Sequence, residues 1–341
     1  MATPREEGFF MPAEWTPHSR CLMAWPVRLE LWDDRLEAAR DAYSEVAQAI
    51  SQFEPVTLLT PPEELASASM RTGGKVSTLP LPINDSWMRD NGPTFVVNEA
   101  GTVAGVDWIF NAWGEGFEHY DLDDAVPAAL LERAGLRRFR APLVLEGGSI
   151  HVDGAGSLVT TESCLLNPNR NPSLSKQQIE QHLKDYLGVS NIIWLFGDPL
   201  EEGTNGHVDN LACFIAPGKV LALVPANDKV QNREALEENL RRLRAAKDAN
   251  GQPLEVIEVP QPQRIHEDYH GEMFHGSYIN FYIANGGIVM PSFEDPNDRV
   301  ARSIIEAAFP DREVVVVPGS DVVYGGGCFH CITQQQPLGA E

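Results

Sequence analysis

The chain has 341 residues, 43% hydrophobic and 22% charged, enough to bury a large core and without the polar bias of a disordered protein. Its 49 acidic residues outnumber the 26 basic ones, for a formal net charge of −23. That balance argues against DNA or RNA as a partner, because phosphate binding needs clustered Lys and Arg.

The amino terminus, MATPREEGFFMPAEW, lacks the basic start and apolar stretch of a signal peptide, and no apolar run reaches bilayer-spanning length. The protein is therefore expected in the cytoplasm, with no membrane partner. Downstream, an amphipathic helix, an apolar strand and a pair of strands around a polar or glycine turn recur along the chain. The first unit has a helix near 33–53, the strand VTLLT and the pair PTFVVNEAGTVAGVDW. The second has DDAVPAALLERA, a strand ending in LVLE, and SIHVDGAGSLVTT. The third has a helix near 175–187, IIWLF, and HVDNLACFIAPGKVLALVPA. The fourth has a helix near 230–246, LEVIEV, and YINFYIANGGIVMPSF. The fifth has NDRVARSIIEAAF, EVVVVP and the terminal HCIT, which is placed to pair with CLMAWP from the amino terminus.

Such units cannot bury their faces alone and must share a core. The expected fold is α/β: a five-bladed, pseudo-fivefold α/β propeller of repeated β-β-α-β units, forming one catalytic domain over 1–341. The competing reading is an irregular α/β sheet whose units only look alike.

The informative polar residues fall where these hairpins start. They are Asp90 in DSWMRDNGPTF, Glu146 in LEGGS, His207 and Asp209 in GTNGHVDN, and Cys331 in GGGCFHCITQQQP. If His207-Val208-Asp209 opens a strand, alternation puts imidazole and carboxylate on one face, which suits a general base beside a cation-binding acid. His151-Val152-Asp153 repeats the letters, but Asp153 begins the turn DGAG and reads as a turn residue. Glu146 is either solvent-facing or held to orient the imidazole.

The five cysteines are an odd number, against a disulfide framework. Cys21, Cys164 and Cys213 lie in or beside apolar stretches and read as buried thiols. Cys331 follows three glycines that permit close ligand approach. A free thiol is only a few per cent thiolate at neutral pH, so it needs a neighbouring base or cation. CxxC at 328–331 raises redox and metal readings. No helix start follows it, and no second ligand pair at zinc spacing is present. His330 is expected on the face opposite Cys331, in a structural role.

Seven motifs, MPAEW, DSWMRDNGPTF, FNAWG, LEGGS, TNGHVDN, YINFYIANGGIVMPSFEDPND and GGGCFHCITQQQP, occur in the order found in agmatine deiminases. The chain thus resembles that family, within the guanidine-modifying superfamily of pentein fold. The resemblance implies Cys331 as nucleophile, His207 as general acid/base and Glu146 as its partner. It also implies Asp90 and Asp209 as guanidinium clamps, Trp87 as an aromatic wall, and Trp113 and Asn205 as further substrate contacts. No metal and no cofactor are implied; the partner is a small cationic guanidine, and a homo-oligomer fits the family. Cys328 stands where the family often has Asn and reads as a bystander.

The chain departs from the pattern after FNAWG, where EGFEHYDLDD is short and lacks the usual Lys and Trp, and at GEMFHGSYINF. The alternatives are therefore another guanidine (arginine, peptidyl-arginine or methylarginine) or amidino transfer. A metal-dependent hydrolase using His207, Asp209, Glu146 and His151, and a non-catalytic polyamine-binding protein, are readings of other classes.

Overall fold

The computed structural model describes residues 2–198, 201, 203–267, 273–274 and 276–340. Of the atypical GEMFHGSYINF stretch, residues 271, 272 and 275 lie outside that set.

Local sequence fixes the elements. The helix Lys176–Leu187 starts at a capping box in which the Ser175 hydroxyl accepts from the Gln178 amide and the Gln178 side chain accepts from the Ser175 amide. It stops at Gly188, whose φ of 68° suits glycine. Ile179, Leu183 and Leu187, four residues apart, form its buried stripe. The helix Arg233–Ala245 buries Leu236, Asn239 and Leu243 in the same way. Asn239 both donates to and accepts from the backbone of Gly197, which satisfies a buried amide and ties down that loop.

Among the described residues, five sheets share one topology: an antiparallel hairpin, then a strand parallel to its second arm after a helical crossover. They are Thr94–Asn98/Val103–Ile109/Arg137–Val144, Ile150–Val152/Ser157–Thr161/Asn191–Leu195 and Ala212–Ala216/Lys219–Val224/Glu255–Pro260. The fourth is Tyr282–Ala284/Gly287–Ser292/Glu313–Pro318. The fifth joins the two ends of the chain, Thr333–Pro337 pairing with His18–Ala24, which runs parallel to Val56–Thr60. Phe9–Phe10 and Ser77–Pro80 add edge strands to the first and fifth sheets, and His266–Glu267 pairs separately with Met273–Phe274. The expected junction of HCIT with CLMAWP is thus present as Thr333 opposite Met23. The fold is mixed α/β.

Two local expectations are corrected. Val208–Asn210 is a 3-10 turn, and the apolar strand begins only at Ala212, so His207 and Asp209 do not share a strand face. Cys331 likewise sits in a turn before the strand at Thr333. Period-two alternation does not apply to a turn.

Candidate active site

Each of the five sheets contributes a polar side chain from the turn just before its first hairpin strand: Asp90, Glu146, His207 with Asp209, Asn280, and Cys331. Asp90, Glu146, His207, Asp209 and Cys331 are at most 5% exposed, and Asn280 is fully buried.

Gly148 measures how tightly they converge. A Cβ there would lie 2.6 Å from His207 Nδ1, 2.8 Å from Asp90 Oδ1 and 2.9 Å from Asp209 Oδ2. An imidazole and two carboxylates thus pack around one glycine, whose own amide donates to Asp90 Oδ1 at 2.9 Å. The Cys331 thiol donates to Asp209 Oδ2 at 3.4 Å and receives the Asn280 amide at 3.2 Å. The second ionisable shell is as closely built. His330 donates through Nδ1 to Asp209 Oδ2 at 2.8 Å and through Nε2 to Glu14 Oε1 at 2.9 Å. Glu14 also meets Arg89 Nη1 at 3.3 Å.

These contacts set the charges. Burial is the largest single influence on the Asp209 carboxyl and would raise it, but the His330 bond and charge, with His207 and the Cys331 thiol, together hold the group below its ordinary value. Burial and Arg89 press on His330, yet Glu14 and Asp209 together raise it, consistent with an imidazolium between two carboxylates. Asp90 is raised by burial and by Asp209, against the pull of His207 and the Trp113 bond. His207, though desolvated, is raised well above the ordinary range by Asp90, Cys164 and Glu146. Its ring stands 3.8 Å from Asp90 Oδ1 and 3.6 Å from Glu146 Oε2, ion-pair distances longer than hydrogen bonds, so the attraction is mainly coulombic. Cys331 is pushed well up by burial and by Asp209 and Asp90. Both carboxylates and burial thus favour the neutral thiol.

Among the described residues, the buried polar atoms without a hydrogen-bond partner include His207 Nδ1, His207 Nε2, Asp209 Oδ1 and Arg89 Nη2. Unsatisfied groups of this kind are costly in a core and mark where a ligand supplies donors or accepts a proton.

Trp113 reaches the site through an unusual backbone. Ala112, Trp113, Gly114 and Glu115 all have positive φ, at 51°, 56°, 95° and 66°. A left-handed run costs on the order of 1–2 kcal/mol per non-glycine residue. It is held by Asn111, whose Oδ1 accepts from the Gly114 amide and whose Nδ2 donates to the Asn169 carbonyl. The result is an indole N–H donating to Asp90 Oδ2 at 2.9 Å. Trp113 is therefore joined to a proposed clamp. Trp87 stacks on Trp32 with centroids 6.1 Å apart; a Cβ at Gly325 would meet both indoles, at 2.5 Å from Trp32 and 2.9 Å from Trp87, and one at Gly327 would be 2.5 Å from Trp87 and 3.1 Å from Cys331 Cβ. Gly325 and Gly327 are thus required by the close approach of the Trp32 and Trp87 rings.

Asn205 Oδ1 accepts from Arg170 Nη1 at 2.8 Å and from Asn169 Nδ2 at 2.9 Å. His151 lies apart from His207, against Cys213 Sγ at 3.5 Å and the Phe214 amide. Asp153 does cap its turn, accepting from the Ala155 and Ser157 amides. Among the described residues, two groups have metal-ligand spacing, Glu14/His151/His330 and Glu146/Cys164/His207. The four-residue set of the metal-hydrolase reading is divided between them, with Asp209 in neither. His330, expected on the face opposite Cys331, instead meets the same Asp209 Oδ2 that the Cys331 thiol does.

Sequence reasoning missed Glu14, Arg170, Asn280 and Gly148 as site components. Glu14 and Asn280 were inside quoted motifs, and their position before an apolar strand was the available signal. Arg170, in NPNRNP, gave none.

The arrangement is that of an enzyme that binds a planar cation beside a cysteine, and the chain belongs to the Porphyromonas-type peptidyl-arginine deiminase family, matched over residues 10–337. Among its relatives, the agmatine deiminase of Pseudomonas aeruginosa (strain LESB58) is 45% identical, covering 98% of this chain and 97% of that protein. In structure the chain is similar to the agmatine deiminase of Enterococcus faecalis, described as catalysing its reaction, with a TM-score of 0.94, 39% identity and coverage of 99% and 98%. It is also similar to a cysteine-to-serine variant of the C. jejuni agmatine deiminase with substrate bound, with a TM-score of 0.89, 27% identity and coverage of 98% and 97%.

Proposed function

We propose that this chain hydrolyses agmatine and water to N-carbamoylputrescine and ammonia, through an amidino adduct on Cys331. The observation that carries the reading is the convergence of two carboxylates and an imidazole on Gly148, with the Cys331 thiol on one of those carboxylates.

Asp90 and Asp209 grip the guanidinium, whose planar N–H donors suit carboxylate oxygens; Asp209 Oδ1 is the free acceptor. The cation offsets the two carboxylates that keep the thiol protonated, so the thiol proton passes to solvent as substrate binds, and the thiolate attacks the central carbon. Cationic His207 donates its proton and ammonia leaves. Neutral His207, backed by Glu146, then takes a proton from water as it attacks the adduct; the C–S bond breaks, the ureido product leaves, and the Cys331 thiolate takes back a proton from solvent. Trp87, behind Gly327, forms an aromatic wall near the nucleophile.

One catalytic unit over 1–341, arranged as a five-bladed pentein ring, accounts for the five repeated sheets. Equivalent turns from five repeats meet at one place if the repeats surround a common axis. Agmatine is favoured over longer guanidines by the agmatine deiminases at 41–48% identity. The family resemblance also implies a homo-oligomer and a cytoplasmic location. No helix among the described residues is long and apolar enough to cross a membrane.

Ammonia release from agmatine, arginine, a peptidyl-arginine mimic and methylarginine, with Cys331→Ser alongside, tests the reading. Turnover of agmatine that vanishes in the variant supports it. Preference for another guanidine keeps the chemistry and replaces the substrate. Transfer of the amidino group to an amine, without ammonia release matched by a ureido product, replaces hydrolysis.

A further inference from the structure

Arg170 is a charged side chain with no exposed surface, and it lies outside the set of groups that the proposed chemistry uses. Its Nε donates to Glu146 Oε1 at 2.6 Å, Nη1 to Asn169 Oδ1 at 2.7 Å and Asn205 Oδ1 at 2.8 Å, and Nη2 to the Thr204 carbonyl at 3.2 Å. One planar fork thus spans three separate segments. Glu146 leads to the His207 ring, 3.6 Å away through its other oxygen. Thr204 and Asn205 belong to the loop that delivers His207, and the Thr204 hydroxyl accepts from the His207 amide at 3.1 Å. Asn169 faces the left-handed turn: a Cβ at Gly114 would collide with Asn169 Nδ2 and lie 2.8 Å from Arg170 Nη1. That turn carries Trp113 and, through it, the hold on Asp90.

We propose that Arg170 is the positioning residue of this site, fixing Glu146 beside His207 and locking the His207 loop and the Trp113 turn against each other. The proposal rests on the deimination reading. A guanidinium suits the task because it is always charged and offers donors in fixed directions, so it serves four acceptors without rearranging. A lysine could supply the charge but not the fork.

The electrical consequence separates positioning from mere support. Around Glu146 and His207 the ionisable groups are Arg170, Cys164 and Asp90, with Asp209 beyond Gly148. Burial alone would raise Glu146, but Arg170 and then His207 hold it below its ordinary value. Removing the Arg170 charge raises the proton affinity of Glu146 and also that of His207. The reaction needs Glu146 ionised and His207 protonated, so both limbs of the pH–rate bell move to higher pH.

The experiment is kcat and KM against pH for the wild type, Arg170→Lys and Arg170→Met, with agmatine. For Arg170→Met, kcat falls by about tenfold or more and both limbs shift upward. Arg170→Lys returns the limbs toward their wild-type positions while recovering only part of kcat. An unchanged bell with reduced kcat would make Arg170 a structural ion pair only and overturn the proposal, as would wild-type kinetics in Arg170→Met. Should Arg170→Met not fold, Asn205→Ala removes one acceptor from the fork, and it is expected to lower kcat with little change in melting temperature; full kcat there overturns the locking role. Titration of the His207 ring by nitrogen NMR in Cys331→Ser protein, with and without Arg170→Lys and Arg170→Met, needs no turnover. It therefore reads the proposal even if no guanidine is hydrolysed. A His207 midpoint higher in Arg170→Met than in Arg170→Lys supports the proposal, and equal midpoints overturn it.

Discussion

Adding one methyl group at Gly148 tests the geometry most sharply. Its φ lies outside the left-handed region, so alanine strains no backbone angle and the perturbation is steric. The new carbon would come within 2.6–2.9 Å of His207 Nδ1, Asp90 Oδ1 and Asp209 Oδ2, where ordinary contacts need about 3.4 Å or more. Relief requires all three, or the Gly148 backbone, to retreat by roughly 0.5–0.8 Å, the shortfall against that contact distance. Overpacking of this kind costs about 1–3 kcal/mol of stability. Misplacement approaching an ångström in a site that orients a reaction costs up to about 100-fold in rate. Gly148→Ala is therefore expected to remain folded, with a melting temperature lower by several degrees, and to lose on the order of 10–100-fold in kcat/KM for agmatine. Coupled ammonia release and a thermal melt on the same preparation read both. Activity within threefold of wild type would refute the convergence of the three groups.

Cys331→Ser should abolish turnover while leaving the melting temperature near wild type; residual turnover within tenfold of wild type would move the nucleophile elsewhere. Asp209→Asn leaves His330 facing an amide in place of a carboxylate, and kcat/KM should fall by at least about 100-fold, since a buried charge loses its partner; near-normal kinetics would displace the clamp. Stability should also depend on Asp123, whose carboxyl burial and Asp85 raise from 3.8 to about 8. A raised acid favours the fold fully below its unfolded pKa and loses that contribution as pH rises toward 8. Asp123→Asn keeps an oxygen for the Asn84 and Asp85 amides. It should leave urea midpoints alike near pH 4 and raise them above wild type by pH 8, and a variant less stable at pH 8 would contradict the sign.

The repeat was legible because each crossover helix and parallel strand carries its own periodicity and caps, as in the Ser175 box and the Ile179–Leu183–Leu187 stripe. The polar residues at hairpin starts were legible for the same reason, since an isolated acid or histidine before an apolar strand stands out. What the sequence hid is what depends on distant partners. His330 lies one residue from Cys331, yet its role is set by Asp209 and Glu14, 121 and 316 residues away. Arg170 looks like an ordinary loop arginine until Glu146, Thr204 and Asn205 close around it. The left-handed turn at 112–115 could not be read from NAWGE, because only Gly114 is a residue that favours positive φ.

The central claim is that Cys331 carries the amidino group. Rapid acid quenching of wild-type protein during agmatine turnover, followed by intact-mass and peptide mapping, tests it directly. The account predicts a population of chains heavier by agmatine less ammonia, with the added mass on Cys331 and no adduct in Cys331→Ser. Turnover at full rate with the mass on Cys164, Cys213 or Cys328, or turnover that persists in Cys331→Ser, would contradict it.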